Sequence, residues 1–78
     1  MTLLKQFAIQ AYNSRRKLGY SQETVAEAIS VSVRWYQKIE AGERLPGTIT
    51  AIRIILFLHL NVEEFREEVA LIVPLRAF

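Results

Sequence analysis

Residues Ser21 to Gly42, SQETVAEAISVSVRWYQKIEAG, hold two short helical patterns separated by a break. Val25, Ala26 and Ile29 recur at three- and four-residue intervals and share one face of the first segment. Ser30-Val31-Ser32 interrupts that pattern. Tyr36 and Ile39 then resume an apolar face, while Arg34, Gln37 and Lys38 point elsewhere. Ser21 and Ser32 stand where a hydroxyl can accept from the free N–H groups of a new helix, and Gly42 stands where a helix stops. Val31 precedes the second cap and can staple Tyr36. Two helices of two to three turns with a short joint form the centre of the chain.

Working outward, Leu4, Phe7, Ala8, Ala11 and Leu18 recur at helical spacing between a candidate cap at Thr2 and a stop at Gly19. Arg15 lies on that apolar stripe, and a buried cation needs a partner. Glu40 is the candidate, so an Arg15–Glu40 ion pair is expected to join the first and third helices. On the other side, Glu43-Arg44-Leu45-Pro46-Gly47 reads as a loop, and a fourth helix capped by Gly47 or Thr48 is expected to about His59. Ala51, Ile52, Ile54, Ile55 and Leu58 can supply its buried side, yet Ile49, Leu56 and Phe57 make it apolar almost all round. A surface helix shows one apolar stripe, so a second cover is expected, either the C-terminal tail or another chain. Asn61-Val62-Glu63-Glu64 has the spacing of a capping box opening a fifth helix, with Val62, Phe65 and Val69 inward. The domain is expected to span residues 1–70. Residues 71–78 form an apolar tail, and Leu56, Phe57, Leu71, Ile72 and Val73 are its candidate tail or dimer contacts, with Leu75 and Phe78 beyond.

Composition narrows the class. Half of the 78 residues are apolar, which excludes simple disorder. The chain has no cysteine, hence no disulfide framework and no thiolate metal site. The opening MTLLKQFAIQAYNSRRK does not read as a signal peptide, because its basic cluster follows its apolar residues. The run Ile54–Leu58 is far shorter than the roughly 20 residues a bilayer span needs. The net charge of +2 is unevenly spread: residues 1–44 hold seven basic and four acidic side chains, residues 45–78 three and four. A basic half beside a nearly neutral one suits a polyanion contact on one side.

Taken in register, Arg15, Leu18-Gly19-Tyr20-Ser21-Gln22-Glu23, Val25-Ala26-Glu27, Val31-Ser32, Ile39-Glu40, Gly42, Arg44 and Pro46 resemble the phage repressor/Cro-type (xenobiotic response element) helix-turn-helix family. Ile52, Ile54, Leu58 and Asn61 to Phe65 continue the resemblance, which runs from about Leu4 to Phe65. It implies an all-α, compact five-helix, lambda-repressor-like domain whose second and third helices form the helix-turn-helix. It also implies a homodimer on double-stranded DNA in a bacterial or phage cytoplasm, and the family uses the same Arg15–Glu40 pairing. Carried over position by position, Gln22 matches a phosphate-contacting glutamine and Ser32 a cap that also donates to phosphate. Val33, Arg34 and Lys38 match positions that face base edges, with Gln37 and Trp35 beside them, and Arg44 matches a loop residue that meets the backbone or minor groove. The chemistry fits: an arginine makes a bidentate contact to guanine, and a valine can touch a thymine methyl. The chain departs from the pattern at Ser30, where the family places a glycine with positive φ, and at Ala41, where asparagine is common. Trp35 can pack across the second helix, stack on sugars or mark a protein-binding surface.

The expected function is a sequence-specific transcriptional regulator, a repressor, that reads operator DNA in the major groove with the third helix. The alternative is a protein-interaction module of the same fold, an antirepressor or DNA-inert regulator, that binds a partner through the fourth helix and tail. An enzyme is not expected. His59 is the only histidine, Glu63-Glu64 and Glu67-Glu68 read as a solvated face paired with Arg66, and no phosphate loop, nucleophile elbow or metal cluster appears. No cofactor, metal, membrane or small-molecule effector is indicated.

Overall fold

The computed structural model describes residues 2–72, with side chains through Ala70. These residues form five α-helices and no strand: α1 Leu3–Leu18, α2 Gln22–Ala28, α3 Val33–Glu40, α4 Thr48–Leu58 and α5 Arg66–Ile72, the last entered through a 3-10 turn at Val62–Phe65. α5 therefore runs two residues beyond the boundary expected at residue 70. Of the expected tail contacts, Leu71 and Ile72 are described as backbone alone, and Val73, Leu75 and Phe78 lie outside the described residues.

Each of the first three helices starts on a side-chain cap. Thr2 accepts from the Lys5 N–H, Ser21 from Thr24 and Ser32 from Trp35, which satisfies one of the donors a helix start leaves free. α4 starts on Gly47 without a side-chain cap. α1 to α4 all end in one way. A residue in the left-handed region turns the chain, and the next N–H reaches back to a carbonyl five residues earlier: Tyr20 to Arg15, Val31 to Ala26, Glu43 to Lys38 and Leu60 to Ile55. The left-handed residues are Gly19, Ser30, Gly42 and His59. Ser30 thus takes the positive φ, 63°, at the position where the resemblance calls for glycine.

The core joins Phe7 and Ala11 of α1, Val25, Ala26 and Ile29 around α2, Tyr36 and Ile39 of α3, Ile54 and Leu58 of α4, and Leu60 and Phe65 after it. α2 packs on α3, and α1 lies beneath both α3 and α4. The rings of Phe7 and Phe65 stack with centroids 5.7 Å apart and close the far end. Ala26 is fully buried, as a close crossing of α2 and α3 requires.

Four expectations fail on packing. Leu18 is exposed, because Gly19 turns the chain before that side chain reaches the core. Ile52 is exposed, since the core takes the opposite face of α4 through Ile54 and Leu58. Val62, at the first position of the 3-10 turn, is exposed, and Phe65 at its last is the residue that reaches the core. The capping box does not close. Asn61 accepts from the Glu63 N–H, and the Glu64 carboxylate hydrogen-bonds the Gln10 amide on α1 rather than the Asn61 backbone.

Candidate nucleic-acid interface

α3 buries Tyr36 and Ile39, and helical periodicity sends Arg34 and Lys38, one turn apart, to the opposite face. Arg34, Gln37 and Arg44 are exposed, and Lys38 is half-buried. Among the described residues, Arg34, Lys38 and Arg44 have no carboxylate partner. Their charge is therefore directed at solvent. Ser32 is exposed at the start of α3. Val33 and Trp35 flank the exposed face, half-buried, and both pack against the core. Arg44 is held close to α3 because its backbone N–H and that of Glu43 both reach the Lys38 carbonyl.

Behind this face stands an ion pair. The Arg15 guanidinium donates from Nε to Glu40 Oε1 and Oε2 at 3.1 and 2.9 Å, and from Nη2 to Oε1 at 2.7 Å. Nη1 donates to the Tyr20 carbonyl at 3.0 Å, so one arginine ties α1 to α3 and to the start of α2. The pair is largely buried, with 11% and 4% of the two side chains exposed. Burial alone would raise the Glu40 carboxyl, but the hydrogen bonds from Arg15 and the guanidinium charge outweigh it and hold the group below its usual range. The hydrogen bond to Glu40 in turn raises Arg15 above its ordinary value. The Tyr36 hydroxyl lies buried beside the pair without a hydrogen bond of acceptable geometry. Its burial, and then the neighbouring carboxylate, push that phenol well up.

The pair continues outward as a chain of amides. Gln22, the first residue of α2, donates from Nε2 to Glu40 Oε1 at 3.3 Å, and Gln37 donates from Nε2 to Gln22 Oε1 at 3.1 Å. Gln22 therefore arrives at the exposed surface with its amide already oriented from behind. Gln37 is engaged in holding it. No spacing rule in the sequence shows this link, since residues 15 apart meet only once α2 and α3 have crossed.

The fold, with its short second helix crossing under an exposed third, and the cationic face on α3 define a DNA-binding helix-turn-helix domain. A helix-turn-helix family model matches residues 12–65, and the chain belongs to that family, the Cro/repressor type of DNA-binding regulators. No curated protein and no solved structure gives a match. Among the described residues no helix is long and apolar enough to cross a membrane, and no three His, Cys, Asp or Glu side chains are grouped to hold a metal ion.

Proposed function

We propose that the protein is a sequence-specific transcriptional repressor of a bacterial or phage cytoplasm that occupies its operator as a homodimer, with α3 in the major groove. The observation that carries this is the pair Arg34 and Lys38 on the outward face of α3, without carboxylate partners among the described residues and flanked by a pre-oriented Gln22. Arg34 reads a guanine through O6 and N7, a contact worth about 1–3 kcal/mol of discrimination. Lys38, one turn on, reaches a second base or a phosphate, and Val33 touches a thymine methyl. Gln22, Ser32 and Arg44 bind phosphates, and such contacts set the docking register while base contacts set the sequence. Gln37 acts through Gln22.

The test is a titration on random-sequence duplex DNA at two salt concentrations. Affinity falls with salt, by about 0.9 in log K per log salt for each phosphate neutralised. Absence of binding at low salt would refute the proposal. On a selected operator, Arg34→Ala lowers preference for that site over random DNA, whereas Gln22→Ala weakens all DNA alike. A uniform loss in both variants would remove the base-reading role of Arg34.

A further inference from the structure

An apolar groove of about 360 Å³ opens beside α5. It is lined by Phe7 of α1, Leu45 of the loop before α4, Ala51 and Ile55 of α4, and Val62 and Val69 of the 3-10 turn and α5, and by no charged side chain. Leu45 and Val62 are 47% and 57% exposed and form its rim. α5 itself is weakly anchored. It has seven residues, and among the described residues Val69 is its one side chain that packs against the core. A helix of two turns has little stability of its own and depends on its packing.

We propose that residues 73–78, Val-Pro-Leu-Arg-Ala-Phe, fold back from the end of α5 and lie along this groove, with Leu75 seated in it. Val69 lines the groove and α5 ends three residues later, a rise of about 4.5 Å, so the segment starts at the groove's edge. Pro74 does not continue a helix and favours an extended residue before it, which turns the chain off the α5 axis. Six extended residues span about 20 Å, more than the width of a groove of this volume. Alternation along an extended segment sets Val73, Leu75 and Ala77 on one side and Arg76 on the other, so the groove receives apolar side chains and the cation stays in water. The occupant is the chain's own segment rather than a separate protein, because the groove is small against the ~800 Å² per partner of a stable interface. A tethered segment binds at a high effective concentration and needs far fewer contacts. Residues 73–78 are then part of the domain and not a dimer arm, and this holds whether or not the chain binds DNA.

Because the chain has no cysteine, an introduced pair reports the contact directly. A disulfide needs Cα atoms within about 7 Å, so Leu75→Cys is paired in the full-length chain with either rim, Leu45→Cys or Val62→Cys. Under mild oxidation at least one of the two pairs closes an intramolecular disulfide. Leu75→Cys with Ile9→Cys does not, since Ile9 is 42% exposed but lines a different face of α1. Independently, Leu75→Asp lowers the melting temperature by on the order of 5 °C, while Arg76→Ala, on the outer side of the segment, leaves it unchanged. A covalent dimer in place of the internal link overturns the proposal, because the segment is then an arm that reaches a second copy. The absence of any internal link in both rim pairs overturns it too, as does a Leu75→Asp chain that melts like its parent.

Discussion

Arg15 shows how much a single residue organises here. Its place on an apolar stripe of α1 is costly for a cation, and the cost is offset by three hydrogen bonds to Glu40 and one to Tyr20. Removing the arginine leaves Glu40 buried without a counter-charge. Arg15→Ala is expected to destabilise the fold by about 3 kcal/mol, read by urea denaturation, and Glu40→Gln by less, since an amide tolerates the site without ionising. The pH dependence follows from the direction of the shift. Glu40 titrates lower in the folded chain than in the unfolded one, so its contribution is complete above the ordinary glutamate range and is lost as pH falls through the depressed folded value. Melting temperature should therefore drop on acidification below about pH 4.3. The Glu40→Gln variant should show a shallower drop, and an identical acid limb in both proteins would remove Glu40 from the account. Because Gln22 hangs on the same carboxylate, Glu40→Gln should also loosen the phosphate contact assigned to Gln22.

Helix ends, more than helix interiors, set the geometry of the individual elements. Four successive helices end on a left-handed residue and the same back-reaching hydrogen bond, and two of those residues, Ser30 and His59, are not glycine. A side chain in that region crowds its own carbonyl by about 1–2 kcal/mol. Ser30→Gly relieves this while adding chain entropy to the unfolded state. A net gain of about 0.5–1 kcal/mol is expected from thermal or denaturant melts, with DNA affinity unchanged because the turn keeps its shape. The caps at Thr2, Ser21 and Ser32 and the stops at Gly19 and Gly42 are legible in the sequence because each depends on one side chain and the next few backbone groups. The opening of α5 is not. Asn61 and Glu64 have the right spacing, but Gln10 of α1 competes for the Glu64 carboxylate, and a distant partner leaves no trace in a local motif.

At the level of the whole molecule, the proposed homodimer would relate two copies of α3 by a two-fold axis, and such a dimer requires an operator with matching symmetry. A selection of bound sites from a random duplex library should return an inverted repeat whose half-sites lie about one helical turn apart, 10–10.5 bp centre to centre. A single short half-site with no symmetric partner would mean that the chain acts as a monomer. Periodicity, capping residues and turn residues were enough by themselves to specify an all-helical domain, the break between α2 and α3, and which face of α3 stays outside, since each follows from local backbone geometry. Tertiary structure alone decided the rest. Whether Ile52 and Val62 are covered depends on where other helices lie, and an apolar side chain reads the same in sequence whether it faces a core or a partner. Phe57 shows the other outcome: it reads like Leu56 beside it, yet its ring stacks on Tyr20 at 5.0 Å, while Leu56 stays bare. Trp35 packs against the core from its half-buried flank, and Gln37 is turned from the solvent face to Gln22 by a helix crossing. Contacts of that kind join residues far apart in the chain, and only the packed fold brings them within reach.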